Sequence, residues 1–163
     1  MADIPLVIKM AEMAVVENSK LLKTTLGSCV GIVLHDEKKK ISGLAHILLP
    51  EPMRKDRSVG KYAETAIPAL YNRVMKRGAS KRDVRAYIAG GANMFRASQD
   101  TKIATIGERN VEAVKRILQE LGIPIVFEQT GGDRGRTVVF DNAGSEIQVK
   151  TVGPLTVGKR SAA

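Results

Sequence analysis

The chain has no tryptophan, one cysteine and two histidines, and aromatic residues make up only 4% of its 163 positions. Each scarcity excludes something. A lone cysteine forms no internal disulfide and in a reducing compartment stays a thiol, so Cys29 serves either packing or chemistry. One cysteine and two histidines with no carboxylate cluster nearby fall short of a zinc site, and neither a metal nor a cofactor is expected. No apolar run approaches the roughly 18 residues that a spanning helix needs. The opening residues also lack a basic segment followed by an apolar core. A cytoplasmic protein without membrane insertion is the expectation. No internal repeat or low-complexity linker interrupts the chain, so residues 1–163 read as a single domain with a frayed tail from about Val157.

What is present is ordinary globular composition: 44% apolar and 26% charged residues, enough to bury a core. The net charge of +9 favours an acidic partner, nucleic acid or anionic lipid. The basic residues are dispersed, however, at Lys38–Lys40, Arg54–Arg57, Arg73–Arg82 and Lys159–Arg160. They rarely sit beside aromatics, as a single-strand binding platform requires. A solvated basic surface is the simpler reading, and nucleic acid is not an expected partner.

Residues 28–34 (SCVGIVL) and 41–49 (ISGLAHILL) are short apolar runs flanking the polar segment His35–Lys40, and they read as a hairpin. Both faces of these runs are apolar, which predicts strands covered on both sides. From Tyr62 to Arg77, Ala63, Ala66, Ile67, Leu70, Val74 and Met75 recur at helical spacing, with Gly78 as the stop. Pro68 inside that stretch requires a kink or a helix beginning at the proline. A second helix is predicted over Glu108–Leu121, with Val111, Val114, Ile117, Leu118 and Leu121 on one stripe and Gly122 at its end. Further strands are expected at Val84–Ala89, Ile123–Phe127, Arg136–Phe140 and Glu146–Lys150. The fold class is therefore α+β: a layered α/β sandwich with a mixed, largely antiparallel sheet and two main helices.

A hairpin turn centred between Glu37 and Lys38 places Val30 opposite Ala45, Ile32 opposite Gly43, Leu34 opposite Ile41 and Cys29 opposite His46. Directly opposed residues hold their Cβ atoms about 4.5–5.5 Å apart, which brings thiol and imidazole together on one face. A slip of one residue separates them. An imidazolium beside a thiol lowers the thiol pKa and makes a minimal acyl-transfer pair. Gly27 and Ser28 allow a tight backbone just before Cys29, where amides can point at a developing oxyanion. Read alone, a cysteine in this setting is more often a small buried hydrophobe, and His46 by default a satisfied core histidine. His35, beside Asp36, reads as a solvated turn residue. Gly90-Gly91 reads as a tight turn near the site, since no Lys-Ser or Lys-Thr follows to make a phosphate loop. Gly131–Gly135 reads as a hairpin loop, with Asn93 and Arg136 satisfying backbone groups.

The stretch TTLGSCVGIVLHDEKKKISGLAHILLPEP, residues 24–52, resembles the CheD family of chemoreceptor glutamine deamidases, through L-G-S-C-V and the following G-x-A-H-x-x-L-P. Lys61-Tyr62-Ala63, Gly90-Gly91-Ala92-Asn93-Met94-Phe95, Ile106-Gly107 through Asn110, and Gly131-Gly132 with Gly135-Arg136 resemble later blocks of that family in the same order. The resemblance implies hydrolysis of receptor glutamine side chains to glutamate by a cysteine, a histidine and a threonine. These correspond here to Cys29, His46 and Thr24, with Thr25 as the alternative hydroxyl. It also implies chemotaxis receptors as protein substrate and the CheC phosphatase as a docking partner, a role that needs no chemistry.

Overall fold

Two apolar runs joined by a polar turn make the centre of the molecule: strand β4 (Val30–Asp36) pairs antiparallel with strand β5 (Ile41–Ile47), and every residue of both is buried. The computed structural model describes residues 4–52, 56–94, 105–151 and 155–159. Phe95, the last residue of the glycine block noted above, and residues 160–163 lie outside them. The β4–β5 turn occupies Glu37–Lys40, with Lys40 in the left-handed region at φ 53°. Its centre is thus one residue later than the sequence predicts, which moves the pairing by two: Val30 faces Ile47, Gly31 faces His46 and Ile32 faces Ala45. A shift of two leaves every side chain on its expected face.

Strand β2 (Met13–Glu17) flanks β5, strand β6 (Val84–Gly90) pairs antiparallel with β4, and strand β7 (Ile125–Thr130) runs parallel to β6. These five strands form one sheet in the order β2-β5-β4-β6-β7. A second five-stranded sheet contains β1 (Leu6–Val7), β3 (Leu21–Leu26), β8 (Arg136–Asp141), β9 (Glu146–Thr151) and β10 (Leu155–Lys159), in the order β1-β3-β8-β9-β10. Apart from the β1–β3 and β6–β7 pairs, the ladders are antiparallel. The expected architecture holds, with its strands divided between two sheets instead of one. Strand β10 carries the backbone in register through Lys159, two residues past the expected start of fraying.

Two helices cover the outer face of the first sheet. Helix α1 (Ala63–Lys76) buries Ala63, Ala66, Ile67, Leu70 and Val74, as the spacing predicts. It continues through Pro68 and ends at Gly78, whose φ of 111° suits a glycine cap. Pro68 falls on the sixth residue, near enough to the N-terminus that only one intrahelical bond is lost. Helix α2 (Ile106–Glu120) starts at Thr105, whose hydroxyl accepts from the Glu108 amide at 3.2 Å. It buries Val114, Ile117 and Leu118 against Val30, Ile32 and Leu34. The opposite row of the same strands, with Val33 and Leu44, packs against Leu22, Leu26, Val138, Phe140 and Val149 of the second sheet. This explains why β4 and β5 are apolar on both faces. No helix among the described residues is long and apolar enough to cross a membrane.

Two local readings are corrected. His35 is no solvated turn residue: it is the third member of the inward row Gly31, Val33, His35 and is only 2% exposed. Its Nε2 lies 2.8 Å from Ser145 Oγ, and its ring packs edge-on against Tyr87 and Phe140. Gly131–Gly135 is not a hairpin loop, because β7 belongs to the first sheet and β8 to the second; it is the crossover between them. Arg136 satisfies backbone there, donating to the carbonyls of Gln129 and Gly131.

Candidate active site

Strand β3 alternates Leu22, Thr24 and Leu26 inward with Lys23 and Thr25 away from the core, so the period of two carries the Thr24 hydroxyl into the space between the sheets. His46 enters the same space from β5. Both are buried, at 1% and 3% exposure, and Thr24 Oγ1 stands 2.7 Å from His46 Nδ1. Thr25 instead faces outward, 3.4 Å from the Thr137 hydroxyl. Of the two neighbouring threonines, Thr24 is the one that meets the imidazole.

The hydrogen count fixes the tautomer. Thr24 Oγ1 also lies 2.7 Å from the Ile8 carbonyl, which can only accept. The single hydroxyl proton therefore goes to Ile8, and Thr24 Oγ1 must accept from Nδ1–H of His46. Nε2 is left as the ring's lone-pair nitrogen, and it has no hydrogen-bond partner among the described residues. The His46 backbone is held equally firmly, by donation to Glu12 at 3.1 Å and by acceptance from Ala11 at 2.9 Å. Gly31, directly across from His46, leaves the room this requires: a Cβ there would stand 3.1 Å from Leu26 Cδ1 and 3.5 Å from Thr24 Cγ2.

Cys29 is the last residue of the bend Gly27–Cys29 that connects β3 to β4. It is half-buried and packs at the edge of the inter-sheet core. In the observed register it is diagonal to His46, and Nε2 and the thiol are not hydrogen-bonded. Burial pushes the Cys29 thiol above its ordinary value, opposed by its own backbone amide. Burial likewise lowers His46, opposed by the Ile8 carbonyl. Both shifts favour the neutral thiol and the neutral imidazole over the ion pair that proximity alone suggests.

The bend carrying Cys29 is pinned through three successive carbonyls. Gly27 accepts from the Ala92 amide at 3.0 Å, Ser28 from Asn110 Nδ2 at 3.0 Å and Cys29 from the Gly91 amide at 2.8 Å. Gly90 and Gly91 make the tight turn beneath it, at φ 112° and 67°. A Cβ on Gly90 would overlap the Cys29 carbonyl oxygen. Asn110, fully buried on α2, also donates to the Leu48 carbonyl at 2.8 Å. Sequence reasoning gave neither Gly31 nor Asn110 a part in the site. The legible signal for Asn110 was a polar residue on the same helical stripe as Gly107, Val114 and Ile117.

This layered α+β protein carries its one cysteine at a strand entrance and, on the neighbouring strand, an imidazole hydrogen-bonded to a buried threonine, the side-chain types that thiol-dependent acyl transfer uses. Comparison with known proteins makes this specific. Residues 48–151 match the family described as CheD chemotactic sensory transduction. The probable chemoreceptor glutamine deamidase CheD of Clostridium novyi is 47% identical over 136 residues, covering 82% of this chain and 84% of its own. The protein of the same name from Oceanobacillus iheyensis is 42% identical over 146 residues, covering 87% and 88%. The chain belongs to the CheD family. Among solved structures, the Bacillus licheniformis hypothetical protein YfiH overlays at 14% identity and a TM-score of 0.48, covering 72% of this chain and 49% of that one.

Proposed function

We propose that the protein is a cytoplasmic, single-domain deamidase that hydrolyses glutamine side chains of methyl-accepting chemotaxis receptors to glutamate and releases ammonia. Cys29 is the nucleophile, His46 its base and Thr24 the group that orients the imidazole. The observation carrying this reading is the bonding order from Ile8 through Thr24 to His46, which leaves Nε2 unprotonated and, among the described residues, unpartnered on the strand that pairs with the one following the bend of the chain's one cysteine. The substrate class rests on the name its relatives bear.

In the first half-reaction His46 Nε2 takes the Cys29 proton while sulfur attacks the carboxamide carbon. The C=O π bond opens and its electron pair moves to oxygen, giving a tetrahedral oxyanion. Amides of the Gly27-Ser28-Cys29 bend stabilise it, held in place by their pinned carbonyls. The imidazolium then protonates the departing nitrogen, the C–N bond breaks and ammonia leaves a thioester. In the second half-reaction His46 takes a proton from water, hydroxide adds to the thioester, and the C–S bond breaks with return of the proton to sulfur. One water is consumed and the receptor gains one negative charge. Thr24 keeps its bond to Nδ1–H throughout, so both proton transfers pass through Nε2.

Ammonia release from a receptor cytoplasmic fragment, measured with wild type and Cys29→Ala, tests the reading. Release by the wild type alone is expected, and equal release by both contradicts it. A non-catalytic role in docking receptors and the CheC phosphatase needs no thiol, and Cys29→Ala is expected to preserve any such binding.

A further inference from the structure

The β4–β5 ladder stops at the Val30–Ile47 pair, one residue short of the nucleophile. The next pair in sequence would be Cys29 with Leu48, and beyond Val30 the chain turns into the bend that carries the thiol. At this point helix α2 inserts the Asn110 carboxamide. Its Nδ2 donates both protons across the gap, one to Ser28 at 3.0 Å and one to Leu48 at 2.8 Å. Since both partners are carbonyls, only one orientation of the amide satisfies them. One side chain thus ties the residue before Cys29 to the second residue after His46. Among the described residues the other two anchors of the bend, Gly91 and Ala92, are backbone amides, so Asn110 is the side chain there on which this geometry depends.

Helix α2 is placed for this. A Cβ on Gly107 would overlap the Gly91 and Ala92 carbonyls, and one on Gly91 would overlap Val111, so the helix start lies directly against the turn that holds Cys29. Asn110 is fully buried, and its Oδ1 has no partner among the described residues. A buried acceptor left open is a cost to folding, and such costs concentrate where a polar group serves the site.

Resting on the deamidase reading, we infer that Asn110 is a positioning residue: its carboxamide replaces the missing rung of the ladder and sets the approach of Cys29 to His46. It touches no reacting atom. Its loss frees two carbonyls and lets the bend drift, and a misplacement of about 1 Å can cost roughly a hundredfold in rate.

The experiment compares Asn110→Asp, Asn110→Ser and, as a stability control, Val114→Ala, which removes buried α2 packing without reaching the bend. Three quantities are read: kcat and KM on a receptor fragment, the pH profile of Cys29 alkylation by iodoacetamide, and the melting temperature. Each Asn110 variant is expected to lose about a hundredfold in kcat with KM nearly unchanged. The thiol of the folded variant should titrate lower than in the wild type, because a released bend is more exposed. Val114→Ala should melt earlier with its kcat and thiol titration retained. Asn110 variants that lose no more kcat than Val114→Ala, or whose thiol titrates as in the wild type, overturn the inference. A wild type without receptor activity fails the functional reading instead, and the alkylation profile then still decides the role of Asn110.

Discussion

Thr24 Oγ1 stands 2.7 Å from His46 Nδ1 while giving its only proton to the Ile8 carbonyl. Removing the hydroxyl has two effects: it frees the imidazole to adopt either tautomer and leaves a buried Nδ1–H unpaired. Thr24→Val is isosteric and is expected to lower kcat by about a hundredfold, at the lower end of what a positioned general base contributes. Thr24→Ser keeps the oxygen and should retain most of the rate. Steady-state kinetics on a receptor fragment check both, and equal losses in the two variants contradict an orienting role.

The neutral resting pair has its own signature. Because burial raises Cys29 and lowers His46, alkylation of Cys29 should be slow at neutral pH and speed up only above the ordinary thiol value of 9.0. The acid limb of the kcat/KM profile should lie below the ordinary histidine value of 6.5, since His46 stays neutral and competent there. Rapid alkylation at pH 6–7 would reveal a thiolate–imidazolium pair instead.

Gly90 supports Cys29 through both its conformation and its missing side chain. At φ 112°, with a Cβ set to overlap the Cys29 carbonyl, Gly90→Ala should cost about 2 kcal/mol or more and depress kcat as the bend is displaced. Gly122, at φ 72° with nothing within 4 Å of a Cβ, offers the contrast. Gly122→Ala should cost about 1 kcal/mol and leave the rate unchanged. Denaturant unfolding of the two variants measures the difference.

His35 makes stability depend on pH. Burial among Tyr87, Phe140 and Ser145 lowers its pKa to about 4, aided by Lys40 and opposed by Glu37, Asp36 and the Ile41 backbone. The unfolded chain binds this proton near 6.5 and the native chain near 4, so the contribution is complete above pH 6.5 and is lost as pH falls toward 4. It amounts to about 3 kcal/mol at most. His35→Gln is expected to flatten that part of the curve in urea titrations at pH 7.5 and pH 5, and an unchanged slope assigns the acid loss elsewhere.

Long periodic segments were legible: both helices, the β4–β5 hairpin and strands β6 to β9 follow from apolar spacing, whereas β10 reaches into the stretch that reads as a fraying tail. Strands β1 to β3 were not. β1 has two residues, β2 is mostly half-buried, and β3 carries Lys23 mid-strand, so their alternation is short and broken. Thr24 therefore came from resemblance alone, although the inward row Leu22, Thr24, Leu26 states its position once β3 is known. The turn was misplaced by one residue because Asp36 looks like a turn former. Its carboxylate instead accepts from the Lys39 and Ser80 amides, which extends β4 and draws His35 inside. The glycines at 131 and 132 mark a sharp change of direction but not whether the chain returns to the same sheet or crosses to another.

The central claim is that Cys29, activated through the Thr24-fixed imidazole of His46, turns receptor glutamine into glutamate. Peptide mass spectrometry of a chemoreceptor cytoplasmic fragment after incubation with wild type, Cys29→Ala or Thr24→Val tests it most directly. Hydrolytic loss of ammonia adds about one dalton per converted glutamine. A gain at defined glutamines with wild type, none with Cys29→Ala and a strongly slowed gain with Thr24→Val is the predicted result; the same gain with Cys29→Ala, or none with the wild type, contradicts it.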